Sequence, residues 1–183
     1  MGKILELEKV KLFCGIIFNP TIDLEEILNK LQEEFGEIDT RMPSSPFSHT
    51  EYYLEEFGEG LTRSFISFKH LIEKKELPAC KHFTNNLENQ YLTDDNKRRV
   101  NIDPGYIELS KIILASTKNF NHRIYIGDRI YAELTLIYKY RRFITLEWTY
   151  PDFKIQKHLD YLTRVRKIYK KQLNPAVEKK EIK

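Results

Sequence analysis

Cysteine is scarce in this chain: two residues, Cys14 and Cys80, with no C-x-x-C spacing. That excludes a zinc knuckle and a disulfide scaffold and suits a reducing cytoplasm. Glycine and proline number seven each, and no Gly/Ser linker or low-complexity run divides the 183 residues. No stretch approaches the roughly 18 consecutive apolar residues of a transmembrane helix, so no membrane association is expected. The N-terminal MGKILELEKVKLF mixes acids into its apolar residues and lacks a small-residue cleavage site, so it does not read as a secretory signal. None of the glycines opens G-x-x-x-x-G-K-[ST], so P-loop chemistry has no loop to cradle a phosphate. A Rossmann fingerprint, a catalytic-triad signature, metal-ligand spacing and a pair of H-x-[ST] motifs are all missing as well. No metal site is therefore expected, and no pattern names a cofactor.

What is present is a core. The chain is 41% hydrophobic and 13% aromatic, which excludes intrinsic disorder for most of its length. Net charge is +3, but the distribution is uneven. Residues 1–60 carry 13 acidic and 5 basic side chains, whereas residues 154–183 carry 3 and 10. A basic end of this kind is a weak signal for nucleic acid, because any amphipathic surface helix turns a charged face outward.

Residues 9–18 form a nearly continuous apolar run and predict a central strand. Asp23, with Glu26 three residues later, predicts a capped helix carrying Leu24, Ile27, Leu28, Leu31 and Phe35, closed by Gly36. Residues 37–49 read as extended, Phe57–Gly60 as a turn, 62–69 as a strand and 76–92 as a helix. A short strand at 99–102 follows. Asp103-Pro104 has the form of a helix start, predicting a buried helix to about Ser116. Residues 122–126 and 129–138 predict a hairpin about Gly127-Asp128. A strand at 142–149 follows the basic turn KYRR, and Pro151-Asp152 opens a last helix. The order βαββαβαβββα predicts one α+β domain over residues 1–173, a predominantly antiparallel sheet packed with helices, and a frayed basic tail over 174–183. Its first half has the element order of a ferredoxin-like unit.

The segments TEYYLEEFG (50–58), NIDPGY (101–106), ASTK (115–118), HRIY (122–125), IYAELTL (130–136) and WTYPDF (148–153) resemble those of a bacterial family, the domain of unknown function 4416 family. The resemblance runs from about residue 9 to 173. It departs at Phe57, where methionine is expected, and in a longer basic turn around Arg141. It implies no activity.

Candidate chemistry concentrates in residues 115–135. With Gly127-Asp128 as the two-residue turn, His122 faces Glu133 across the hairpin. Such a carboxylate fixes one imidazole tautomer, the arrangement of a general acid/base. Lys118 and Arg123 lie close by in sequence as anion binders, with Tyr125 beside them. Cross-strand charge pairs also stabilise sheets with no function at all. Asn101 and Asp103 could present oxygens at a strand end beside a helix N-terminus, although the favoured reading of Asp103 is a helix cap. Lys111 falls in the apolar 104–116 segment and must either reach solvent or point into a polar site. His49-Thr50-Glu51-Tyr52-Tyr53 is a further polar-aromatic cluster, without metal-ligand spacing. The reading is a cytoplasmic protein that binds a phosphorylated small molecule or nucleotide through His122, Glu133, Lys118, Arg123, Asp103, Lys111 and Tyr125, with catalysis left open. The alternatives are an RNA-binding accessory protein using Lys139, Arg141, Arg142 and the last helix (weak and nonspecific at most), or a structural partner in an oligomer.

Overall fold

A computed structural model of the chain describes residues 7–47 and 60–174. The cluster at His49–Tyr53, most of the 57–60 turn and the tail beyond Asn174 lie outside the described residues.

The expected central strand is β1 (Val10–Phe18), buried at every position. A strand that reads as a continuous apolar run is one covered on both faces. Helix α1 (Leu24–Phe35) follows, capped by the Asp23 carboxylate, which accepts the Glu25 N–H at 2.9 Å. Glu26 turns away from the expected capping box to Lys30, at 2.7 Å, and Tyr91, at 3.0 Å. Gly36 closes the helix at φ +87°, a conformation that glycine adopts without strain.

Strands β2 (Ile38–Arg41), β3 (Ser45–Pro46) and β4 (Thr62–Ile72) lead into helix α2 (Leu77–Glu88). Five strands follow: β5 (Val100–Ile107), β6 (Lys111–Ser116), β7 (Arg123–Gly127), β8 (Ile130–Lys139) and β9 (Arg142–Thr145). A 3₁₀ turn over Pro151–Lys154 then precedes helix α3 (Gln156–Leu173).

All the described strands join one antiparallel sheet in the order β2-β4-β1-β5-β6-β8-β7, with β3 on β4 and β9 on β8. The first four places, β2-β4-β1-β5, form a split βαβ unit, with β4 inserted antiparallel between β1 and β2. The fold is α+β. Leu12, Cys14, Ile16 and Phe18 of β1 pack against α1 and α2 on one face. Phe13, Phe65, Ile107 and Leu136 pack against Tyr161, Leu162 and Val165 of α3 on the other.

The expected helix over 104–116 is a hairpin, β5–β6. An apolar run buried on both faces carries no period of its own, and Ile107, Ile112 and Ile113 favour the strand. Asp103 is therefore a strand residue, not a helix cap. Lys111 opens β6 beside the turn and pairs with Glu108 at 3.2 Å.

Candidate functional site

The site arises where β5 and β6 part. Their ladder holds only Gly105–Ile107 against Ile112–Leu114. Pro104 has no N–H to offer, and pairing stops beside it. Up to that point the two backbones lie very close: a Cβ on Gly105 would sit 2.4 Å from the Ile113 carbonyl oxygen. Beyond it, the Asn101–Asp103 end of β5 and the Leu114–Ser116 end of β6 form the walls of a cleft of about 150 Å³. Single waters need only about 10–15 Å³. Strands β1, β4 and β8, α2, the loops before β5 and after β6, and the 3₁₀ turn before α3 also contribute to its lining.

Arg63 reaches this cleft from β4 and is 1% exposed. Its guanidinium fits only because residue 15 on the neighbouring strand is glycine, where a Cβ would meet Nη2 at 2.5 Å. The plane stacks on Phe65 at 4.3 Å, and Nη2 donates to Asp152 Oδ2 at 2.8 Å. Nε and Nη1 are buried and have no hydrogen-bond partner among the described residues. Behind Asp152, His158 Nδ1 donates to the Asp152 carbonyl at 2.6 Å, and burial pushes this imidazole below the usual histidine range.

Lys81 enters from α2, across the open edge of β5. Its Nζ donates to the Ile102 carbonyl at 3.0 Å and to Asp103 Oδ1 at 3.1 Å. Asn101 donates to the other Asp103 oxygen at 2.6 Å. Burial opposes the Asp103 carboxylate, but Lys81 and Arg63 outweigh it and hold the group below the usual range.

Of the residues expected from sequence, Asp103, Lys118 and Glu133 line the cleft. His122 and Arg123 lie immediately behind Glu133. The expected register places His122 opposite Glu133, whereas the structure pairs Arg123 with Glu133. The turn is Asp128-Arg129, both at positive φ, and a bulge between Tyr125 and Gly127 shifts the ladder. His122 nonetheless keeps Nε2 3.3 Å from Glu133 Oε2. Its ring stacks on Trp148, centroids 4.9 Å apart.

Arg123 works as an internal clamp. It donates to Glu133 at 2.8 Å, to the Lys118 carbonyl at 3.0 Å and to the Tyr150 hydroxyl at 2.7 Å. Lys111, held by Glu108 at the far turn of the hairpin, and Tyr125, 59% exposed beside Tyr131, are not among the cleft residues.

Arg63, Lys81 and Asp152 are the residues that sequence reasoning passed over. Lys81 carried a readable signal. It shares a helix face with Thr84 and Glu88 at i+3 and i+7, and all three are buried. Arg63 carried none, because its burial depends on Gly15 and Asp152, both distant in sequence.

Among the described residues no helix is long and apolar enough to cross a membrane, and no group of three or more His, Cys, Asp or Glu is placed to hold a metal ion. No curated protein and no solved structure matches the chain. A family model described as a domain of unknown function, DUF4416, matches residues 8–169, and the chain belongs to that family.

Proposed function

We propose that the protein binds a phosphorylated small molecule or nucleotide in the β5–β6 cleft. Arg63, Lys81 and Lys118 receive the anionic group, while Glu133 and the adjoining His122 form the pair available for proton transfer. The observation that supports this reading is Arg63: a guanidinium 1% exposed, on a cleft, with two nitrogens unpaired among the described residues. Burying a charge without full compensation is costly, and arginine's planar fork matches phosphate and carboxylate oxygens. Tyr150, which lines the cleft and is 41% exposed, offers ring surface for the remainder of such a ligand.

Thermal unfolding with inorganic phosphate, sugar phosphates and nucleotides tests it. A ligand bound only by the native state stabilises by about 2.7 kcal/mol at a hundredfold excess over Kd. Lys118→Ala should reduce that protection, measured against the variant's own unliganded melting temperature. A ligand panel producing no melting shift would count decisively against the cleft as an anion site.

A further inference from the structure

Glu88 is the last residue of α2 and is 4% exposed. Among the described residues its carboxylate accepts one hydrogen bond, from the Ile102 N–H at 2.7 Å. Two cations flank it beyond hydrogen-bond reach: Lys81 Nζ at 3.9 Å from Oε1 and Arg98 Nη1 at 3.8 Å from Oε2. Both cations line the cleft, and Glu88 does not. The carboxylate therefore stands behind the charges that would face a bound anion. Lys81 stays anchored by Ile102 and Asp103 whether or not Glu88 is ionised.

We propose, resting on the cleft as the anion site, that it takes up its anion together with a proton, and that Glu88 carries that proton. An incoming anion and the Glu88 carboxylate draw on the same two cations, so each weakens the other's hold. Protonating Glu88 removes the competition and leaves the cleft one charge more positive. Like charges near a shared counter-ion disfavour joint ionisation. The charges acting on Glu88 come from Lys81 on its own helix, Arg98 in the loop before β5, and Asp103 on β5. Burial outweighs the two cations and pushes the Glu88 carboxyl up to about 7, where the coupling operates at neutral pH. Coupling of this kind is reciprocal: protonation tightens the anion, and the anion holds the proton.

Sulfate is the probe, because its charge does not change between pH 6 and pH 8. Its affinity for the wild-type protein should fall about fivefold over that range, as it does where the bound anion tightens the Glu88 proton tenfold. Glu88→Gln, which keeps the oxygen that accepts the Ile102 N–H, should hold the tight affinity at both pH values. A fall that persists in Glu88→Gln assigns the proton to another group, such as His122 or His158, and overturns the proposal. Sulfate that binds with equal affinity at pH 6 and pH 8 overturns it too, yet leaves the cleft standing as an anion site. No sulfate binding at either pH removes both. Should Glu88→Gln fail to fold, a carboxyl-carbon NMR titration of the wild-type protein decides. Sulfate must raise the Glu88 midpoint, and an unmoved midpoint refutes the coupling.

Discussion

Arg63 Nη2 lies 2.8 Å from Asp152 Oδ2, and both side chains are almost wholly out of water. The pair joins β4 to the 3₁₀ turn that leads into α3, so it holds the last helix against the sheet. Removing one partner of a buried ion pair strands the other, whereas replacing both with apolar residues is often neutral. Asp152→Ala should therefore cost about 3–5 kcal/mol. The double change Arg63→Met, Asp152→Leu should cost less than that single one. Urea denaturation of the two variants makes the comparison. An Asp152→Ala protein within about 1 kcal/mol of wild type would show that Arg63 is already compensated.

The close approach of β5 to β6 depends on Gly105. Alanine there places a Cβ 2.4 Å from the Ile113 oxygen and 2.9 Å from both Leu114 Cδ2 and Phe13 Cε1. Two of those neighbours are core side chains and the third is backbone, so none yields cheaply. Gly105→Ala should destabilise by about 1–3 kcal/mol, the usual range for overpacking. It should also widen the strand pair at the closed end of the cleft and weaken phosphate protection beyond the stability loss alone. Equal losses in the liganded and unliganded protein would separate the glycine from the site.

Much of the first half of this fold could be read from local pattern. Asp23 and Gly36 bracket α1, and the unbroken apolar run of β1 announces a strand buried on both faces. Residues 100–116 defeat local reading, because Asp-Pro followed by apolar residues suits a helix start as well as a strand. Pro104 and Gly105 ordinarily argue against a central strand. They are tolerated here because the β5–β6 ladder ends beside them, and that ending is what opens the cleft. The feature that spoils the sequence pattern is thus the feature that makes the site. The His122–Glu133 contact was legible although its register was not. The bulge between Tyr125 and Gly127 shifts the strands by one residue, and the side chains still meet. Arg63 and Asp152 are 89 positions apart in sequence, and no local pattern connects them.

Glu88 also sets a stability slope. Its folded-state pKa, about 7, lies above the ordinary glutamate value of 4.5, so the native state binds its proton more tightly than the unfolded chain. A raised carboxyl pKa means that stability declines as pH rises from about 4.5 through 7 and levels off above that window. The decline attributable to this side chain is on the order of 3 kcal/mol. Glu88→Gln should flatten that part of the curve and be the more stable protein at pH 8. Chemical denaturation at pH 5 and pH 8 checks both. A wild-type curve that rises through this window with the same slope as Glu88→Gln would place the carboxyl at an ordinary value.

The basic outer face of α3 gives the last prediction. Lys157, Arg164, Lys167, Lys170 and Lys171 are exposed, with Asp160 among them. Arg166 differs: its Nε donates to the Leu109 carbonyl at 2.7 Å, and its guanidinium lies 3.5 Å over the Tyr138 ring. It fastens α3 to the sheet and is withdrawn from any surface stripe. The exposed lysines and arginines lack interleaved aromatics on their own helix face, so they can track phosphates but cannot stack bases. Single-stranded RNA should consequently bind weakly and without sequence preference, and about three to five phosphate contacts predict a salt slope of about −2 to −4 on logarithmic axes. Fluorescence anisotropy should show that binding disappear between about 50 and 200 mM salt. Reversing Lys157, Arg164 and Lys167 to glutamate should abolish it at low salt, at a stability cost of about 1 kcal/mol or less for the lost Arg164–Tyr161 contact. Arg166→Ala should lower stability by about 1–2 kcal/mol through the lost hydrogen bond and cation–π contact, while RNA affinity stays unchanged. RNA held tightly at about 200 mM salt, and lost in the triple reversal, would make α3 the primary binding surface and the cleft secondary.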